Sequence, residues 1–523
     1  MPATLLLCLL AVAGPVAAPG PVVRKEPIRA HMAFLADDLL EGRGTGQRGG
    51  DLAVKYLEAQ LRALGLRPAA GDGYLQRVDV LGVKLEAEES RLAFRHPGGE
   101  HTPVVLDEVV YAAGNGMPDN TIDAPVVFAG FGIAAPAERW DDFKGADCRG
   151  KLLVMMVNEP PPTAAEPRLF EGPSLSYFGR WTYKFEEAAR RGAAGVLLIH
   201  TDAGATYGWS LVRNGFQGED FLLQEGPRLS PLQGWVTEGE ARKLLALAGK
   251  DLDELRRQAA SRDFRPVELN LRAKGRLVSA LRSFPQFNVA GIVAGTDPAL
   301  GNEVVIYSAH WDHLGIQDGR IYNGAVDNAS ACATLLTMAQ AAAERPARRT
   351  QMFLFTAGEE QGLLGATAYV QRPLRPLAQT VATLNLESLN WVGPSHDIEF
   401  LGGWRSDLLE LGERTARDLG MVLRPPEPDV QGLYFRSDHF PFAKAGIPAL
   451  SPGFSLAGQR DYLDDRDRSC AKARGFLDRY HQESDDFDPS WDLRGMVQQG
   501  QFILNLGRLI ADSPARPQWK PVR

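Results

Sequence analysis

The sequence predicts an α/β fold, in which a mostly parallel mixed sheet is covered by helices on both faces and carries a β-rich insert. From Asn288 onward, near-continuous apolar runs alternate with helical patterns, as in sheets that are buried on both sides. Between residues 109 and 281, short β-like runs alternate instead with Gly and Pro turns. This change in the sequence pattern indicates a second, inserted domain.

The individual elements follow in order along the chain. Residues 28–66 have a helical pattern that ends at Gly65, a residue typical of the position after a helix. In the insert, an amphipathic helix over residues 183–191 precedes the strand AGVLLIH. The later strands are FNVAGIVAG, EVVIYSAH, TQMFLFTAG and TVATLNLES, with a helix over residues 330–343 between the second and third.

Composition excludes several classes of protein. The chain has 523 residues, 44% hydrophobic and 23% charged, with a net charge of −8, which is typical of a globular protein that does not bind nucleic acid. An apolar run at residues 5–13, followed by Ala17 and Ala18, predicts a signal peptide at residues 1–18 and export to the periplasm or the outside. No later stretch is typical of a membrane span. The oligomeric state is left open.

Three polar clusters lie at the ends of three apolar runs within residues 307–362. They read YSAHWDHLG, GAVDNAS and FLFTAGEEQG. In sheets of this kind, ligands bind at the carboxyl ends of strands, which is where these clusters fall. Their imidazole and carboxylate groups form a ligand mixture that suits a divalent cation, with imidazole favouring zinc.

Each cluster is ambiguous when taken alone. His310 and Asp312 are expected on one side of an extended backbone, where the Asp would fix the histidine tautomer, whereas His313 is expected to face away. Asp327 could be a helix cap rather than a bridge between two cations. On an exposed loop, Glu359 and Glu360 would indicate no function. In a site that excludes water, their mutual repulsion would require a bound cation.

Two further groups complete the set, namely Glu387 after TVATLNL and His481 in RYHQESDD. In this order and spacing, H-x-D, G-x-x-D-N, E-E-x-G, N-L-E and Y-H-x-x-S-D resemble the di-zinc metallopeptidase family of bacterial leucyl aminopeptidases and glutamate carboxypeptidases. The insert, with GKLLV and KFEEAARRGAAGVLLI, resembles a protease-associated domain. The resemblance implies a peptidase domain formed by residues 24–108 and 282–523 around an insert of residues 109–281.

Carried over by position, the resemblance implies two zinc ions. His310 and Glu387 would bind one ion, Glu360 and His481 the other, and Asp327 both. Glu359 would be the general base, Tyr480 would stabilise the oxyanion, and Asp312 would support His310. The family usually has Asp where this chain has Glu387, which makes that ligand less certain, and His439 competes as a second imidazole.

The implied function is hydrolysis of peptide substrates by an exported zinc exopeptidase. An aminopeptidase is favoured because acidic groups, which would hold a free α-ammonium, dominate the sequence around the motifs. The alternatives are a carboxypeptidase of the glutamate carboxypeptidase type, which would need arginines such as Arg405 or Arg436, a single-zinc glutaminyl cyclase, and a receptor-like protein without activity.

Overall fold

One long strand, Val267–Val293, passes through the whole fold and joins its two parts. Its first half pairs antiparallel with Asp119–Phe128 and Arg91–His96, and its second half with Leu75–Leu85 and Thr350–Thr356. The computed structural model describes residues 20–425, 427–452, 460–476 and 478–520. The predicted signal peptide, residues 1–18, lies outside the described residues.

The sheet of the C-terminal part has a parallel centre and antiparallel edges. Four strands run parallel, and the two outer strands pair antiparallel with them, in the order Phe400–Leu401, Ala449–Pro452, Thr380–Asn385, Val304–His310, Thr350–Thr356, Val267–Val293. This arrangement confirms the predicted mixed and mostly parallel sheet. Three of the four predicted strands lie within three residues of the observed ones because their apolar runs were continuous, whereas FNVAGIVAG is only the last part of the strand Val267–Val293.

Helices cover both faces of this sheet, as predicted. Because side chains alternate along a strand, Val305 and Tyr307 enter one core while Val304 and Ile306 enter another. The first core is covered by the helices Lys25–Leu35, Arg48–Ala63, Ser330–Glu344 and Arg494–Asp512. The second core is covered by Leu364–Gln371 and His439–Lys444.

The insert has a sheet of its own. Its parallel strands are Asp119–Phe128, Leu152–Met156, Gly195–His200 and Leu232–Thr237, with Val109–Ala112 antiparallel at the edge. Its helices are Trp181–Arg190, Glu238–Leu247 and Leu252–Ala259. The core of this unit includes Leu92 and Phe94, so its packing begins upstream of the predicted boundary at residue 109. Strand Val267–Val293 also continues through the predicted boundary at residue 281.

The predicted helical pattern of residues 28–66 is interrupted. It forms two α-helices, Lys25–Leu35 and Arg48–Ala63, with a 3₁₀ segment, Asp38–Arg43, between them. The interruption has a local cause, because Glu41 and Gly42 both have positive φ angles, of 51° and 66°. The second helix ends as predicted before Gly65, whose φ of 72° suits glycine.

Shorter elements connect these parts. The remaining strands are Arg67–Pro68, Gly99–His101, Ala134–Ala135, Trp140–Asp141, Glu219–Leu223, Gly315–Gln317, Arg320–Tyr322, Asp397–Ile398 and Val422–Leu423. The remaining α-helices are Asp202–Ala205, Trp209–Gly215, Leu408–Asp418 and Arg466–Arg474. Within the described residues, no helix is long and apolar enough to span a membrane. Cys148, Cys332 and Cys470 are buried free thiols.

Candidate metal centre

The predicted ligands meet at one edge of the parallel sheet. His310 is the last residue of its strand and lies beside Thr356, after which Glu359 and Glu360 follow. Glu387 comes two residues after the neighbouring strand Thr380–Asn385. Parallel strands end at the same edge, so residues far apart in sequence are brought together there.

Asp327 lies at the centre of the cluster. Its Oδ1 is 3.4 Å from His310 Nε2, and its Oδ2 is 3.3 Å from His481 Nε2. Only 4% of the Asp327 side chain is exposed. The interpretation of Asp327 as an ordinary helix cap does not hold, because both carboxylate oxygens point to imidazoles.

A glutamate accompanies each imidazole. His310 Nε2 lies 3.0 Å from Glu387 Oε1, and His481 Nε2 lies 3.2 Å from Glu360 Oε2. Two groups of ligand atoms therefore share Asp327. The longer side chain of Glu387 reaches His310 from its place after the strand. The structure thus brings all five predicted ligands together.

His313 faces the cluster, and the expectation that it faces away is wrong. Its Nδ1 is 2.8 Å from Glu360 Oε1 and 4.0 Å from Asp327 Oδ2. The expectation used the alternation of side chains along a strand, but the strand ends at His310, so that rule does not extend to residue 313. His313, Asp327 and Glu360 form one group able to hold a metal ion, and His310, Asp327 and Glu387 form another.

Asp312 supports the site differently from the expectation. The atom closest to His310 Nδ1 is the backbone oxygen of Asp312, at 3.0 Å, while the carboxylate Oδ1 is 3.9 Å away. The carboxylate instead accepts hydrogen bonds from the backbone N–H groups of Glu359 and Glu360, at 3.1 and 3.4 Å. Asp312 therefore orients the histidine through its main chain and the two glutamates through its side chain.

The two remaining predicted residues lie on either side of the ligands. Glu359 directly precedes the predicted ligand Glu360, and its carboxylate lies within 4.8 Å of side-chain ligand atoms of His310 and Glu360. The Tyr480 ring stacks on His481 with centroids 3.9 Å apart, and 42% of the residue is exposed. Tyr480 thus lies on the solvent side of the site.

Several supporting residues were missed by the sequence analysis. Asp485 is fully buried, and its carboxylate accepts hydrogen bonds from the backbone N–H groups of Val326 and Asp327. Ser437 donates to Glu387 Oε2 at 2.6 Å. Asp485 lies in the quoted stretch RYHQESDD and Ser437 in the stretch SDHFPFAKAGIPAL, but no local spacing indicated their partners.

A third missed residue is Arg43, in the Gly-rich stretch between the first two helices. Arg43 is 1% exposed and donates to the backbone oxygens of Trp311, Asn323 and Gly324. These bonds join the segment that follows His310 to the segment that leads to Asp327. The Gly-rich stretch thus stabilises the backbone on both sides of the site.

Burial and mutual charge shift the pKa values of these groups. Burial, followed by repulsion from Glu387 and Glu360, raises the pKa of Glu359 well above its usual range, although His310 opposes this. Burial also opposes ionisation of Asp327, but hydrogen bonds from His310 and His481 hold its pKa well below the usual range. The cluster therefore contains carboxylates that favour opposite protonation states.

His439, the competing imidazole, is not part of the cluster. It is fully buried against the Tyr434 ring, with centroids 4.8 Å apart, and burial lowers its pKa to about 3. No metal-binding group among the described residues includes it.

Comparison with known proteins gives the same family as the motifs. Residues 288–505 match the model of Peptidase family M28. An aminopeptidase from Aneurinibacillus sp. strain AM-1 has a similar structure, with a TM-score of 0.52, 17% identity and coverage of 96% of this chain and 97% of that one. A zinc aminopeptidase from Bacillus subtilis gives a TM-score of 0.46 and 16% identity, over 95% of this chain and 98% of that one.

A curated relative matches only a short stretch. It is a vacuolar membrane protease of Lachancea thermotolerans, 35% identical over 109 residues, which are 21% of this chain and 10% of that protein. The chain therefore spans a small part of that relative. The likeness to solved structures shows the fold, and the family match lies over the ligands described above. The match to Peptidase family M28 covers residues 288–505, which is less than half of this chain.

Proposed function

We propose that this chain is an exported zinc aminopeptidase that uses two metal ions to release N-terminal residues from short peptides. The observation that carries the proposal is the position of Asp327, whose two oxygens face His310 and His481 while a glutamate accompanies each imidazole. One carboxylate shared by two ligand sets is what a pair of ions requires.

The side chains present fit zinc. Imidazole nitrogens and carboxylate oxygens are ordinary zinc ligands, and five such groups exceed what one tetrahedral ion needs. The Nε2 atom of His313 is buried and has no hydrogen-bond partner. Among the described residues, no Lys or Arg forms an ion pair with Asp327, Glu360 or Glu387, so a cation would supply the missing positive charge.

Each residue has a separate role in the proposed mechanism. His310 and Glu387 would hold one ion, Glu360 and His481 the other, and Asp327 both, while His313 would position Glu360. Bound zinc supplies polarisation of the scissile carbonyl and a lowered pKa for an attacking water.

The proton transfers are assigned to Glu359. It neighbours a ligand without being needed as one, and it would accept a proton from the attacking water and pass it to the leaving amine. Tyr480, at the solvent side of His481, would donate a hydrogen bond to the developing oxyanion.

The direct test combines metal analysis with a small panel of substrates. We expect two zinc ions per chain after purification without chelators, and hydrolysis of a free-amine dipeptide and of its C-terminal amide but not of its N-acetyl form. One tight ion with no second site in excess zinc would favour a cyclase-like centre. Cleavage that survives N-acetylation and is abolished by C-amidation would show a carboxypeptidase instead.

A further inference from the structure

Residues 357–365 form the turn that carries Glu359 and Glu360, and we call this segment the glutamate turn. Its two ends meet, because Gly365 N donates a hydrogen bond to the Ala357 backbone oxygen at 2.7 Å. Both glutamates lie between these ends. Their position therefore depends on what holds the ends of the turn in place.

One buried side chain of the long strand bonds to both ends of the glutamate turn. Asn288 lies on the strand Val267–Val293 and is 0% exposed. Its Oδ1 accepts from Ala357 N at 3.0 Å, and its Nδ2 donates to the Gly365 backbone oxygen at 2.9 Å. Nδ2 also donates to Gln76 Oε1 at 2.9 Å. In this orientation the amide oxygen faces an N–H group and the amide nitrogen faces two oxygens, so the whole group is satisfied.

The Asn288 side chain extends the sheet beyond the point where its backbone pairing ends. The long strand pairs with the strand Thr350–Thr356, and on this side the register ends at Val289 and Phe355. Ala357 lies two residues beyond that pair, and its N–H bonds to the Asn288 side chain. The amide thus serves the first residue of the glutamate turn in the way that a backbone carbonyl serves a strand.

The long strand also holds the other segment that reaches the metal centre. Trp311 directly follows His310, is fully buried, and donates from Nε1 to the Phe287 backbone oxygen at 3.0 Å. Trp311 N donates to the Thr356 oxygen, also at 3.0 Å. Two adjacent residues of one strand, Phe287 and Asn288, therefore bond to the two segments that bring the predicted ligands together.

We propose that Asn288 is a positioning residue, which holds both ends of the glutamate turn and thereby keeps Glu359 within reach of the attacking water. A general base acts only within hydrogen-bond reach of the proton it accepts, and a misplacement of about 1 Å can cost about 100-fold in rate. Without the amide, the Ala357 N–H and the Gly365 oxygen lose partners in a buried place, and the turn relaxes to find others. This inference rests on the proposed function for the role of Glu359.

The kinetic test compares N288L with the matched variant Q76L. Leucine has nearly the shape of asparagine but no hydrogen-bonding group, so N288L removes both bonds to the glutamate turn. Gln76 is 8% exposed and belongs to the same network, but its bonds go to Asn288 and to the Arg372 backbone oxygen, the latter at 2.7 Å. With leucine arylamide and saturating zinc, we expect N288L to lower kcat by about 10- to 100-fold and to leave KM within about twofold. Q76L should keep kcat within about twofold, although both variants lower the midpoint of thermal unfolding.

A second variant approaches the same contact from the turn. A Cβ atom at Gly365 would lie 2.3 Å from Asn288 Oδ1 and 2.5 Å from Ala357 N, so G365A must displace the turn from the amide. We expect G365A to lower kcat with little change in KM, as N288L does. G365A with wild-type kcat would overturn the positioning role even if N288L failed to fold.

Hydrogen exchange of the chelated protein gives a readout that needs neither turnover nor metal. Peptides that cover residues 353–365 report on the N–H groups of Ala357 and Gly365 by mass spectrometry. We expect these groups to exchange about five- to tenfold faster in N288L than in the wild-type protein, the factor for one lost hydrogen bond. Q76L should leave their exchange unchanged.

The outcomes separate this inference from the proposed function. Equal losses of kcat in N288L and Q76L, or a raised KM with wild-type kcat in N288L, would overturn the positioning role and leave the aminopeptidase intact. If the wild-type protein hydrolyses no free-amine substrate, the proposed function fails, and faster exchange in N288L would still support the hold of Asn288 on the turn. Exchange that N288L leaves unchanged would overturn that hold.

Discussion

Asp485→Asn should weaken metal binding although Asp485 is not a ligand. The Asp485 carboxylate accepts the N–H of Val326 at 3.1 and 3.2 Å through both oxygens, and the N–H of Asp327 at 3.1 Å. An amide keeps one acceptor and turns an NH₂ group toward the Val326 N–H. Each donor then loses the difference between a charged and a neutral hydrogen bond, about 1 to 1.5 kcal/mol, or about 2 to 3 kcal/mol for the two.

That loss corresponds to a decrease of about 30- to 160-fold in zinc affinity if all of it acts on the position of the Asp327 loop. Competition with a chromophoric chelator measures the affinity, and thermal unfolding of the chelated protein measures any part that appears as lost stability. The neighbouring Asp486 is exposed, and D486N is the matched control. If D485N and D486N bind zinc equally and unfold alike, the idea that Asp485 holds the loop for Asp327 is refuted.

Three further predictions concern the base, a ligand support and an acid-sensitive core residue. E359Q should keep its metal and lose at least about 10²-fold in kcat, while E360Q should lose metal; the reverse pattern in metal analysis would exchange the two roles. S437A should lower zinc affinity by about tenfold, since it removes one hydrogen bond to a charged Glu387, and an unchanged chelator competition curve would contradict this. H439F should flatten the acid side of the stability profile, because His439 has a folded pKa of about 3 and an unfolded value near 6.5. Between those two pKa values the unfolded chain binds more protons than the folded chain. The contribution of neutral His439 to the free energy of unfolding is therefore fully present above about pH 6.5 and falls by up to about 1.4 kcal/mol per pH unit below it. Urea unfolding of the chelated proteins measures this change.

The sequence was sufficient to predict where the ligands lie, for a physical reason. Continuous apolar runs such as VVIYSAH identify strands that are buried on both faces, and parallel strands end at one edge. His310, Glu360 and Glu387 each follow such a run, so their meeting needed no knowledge of long-range contacts. The predicted helix over residues 330–343 also agrees with Ser330–Glu344, since it depends on local periodicity.

What the sequence did not predict depends on partners far away in the chain. The partner of Asp485 is about 160 residues upstream, and that of Ser437 is 50 residues upstream. His313 was placed on the wrong side because the backbone leaves the strand direction after His310. The strand Val267–Val293 belongs to both sheets and runs without a break through the predicted junction of the insert at residue 281.

The same long strand fixes how the insert lies relative to the C-terminal sheet. Its continuous pairing with Asp119–Phe128 on one part and Thr350–Thr356 on the other leaves no linker between the two sheets. The hydrogen bond from Leu175 N to the Asp429 backbone oxygen, at 2.9 Å, joins the insert to the segment that leads to Ser437, the residue that donates to Glu387. The shared strand therefore keeps this contact in place beside the metal centre.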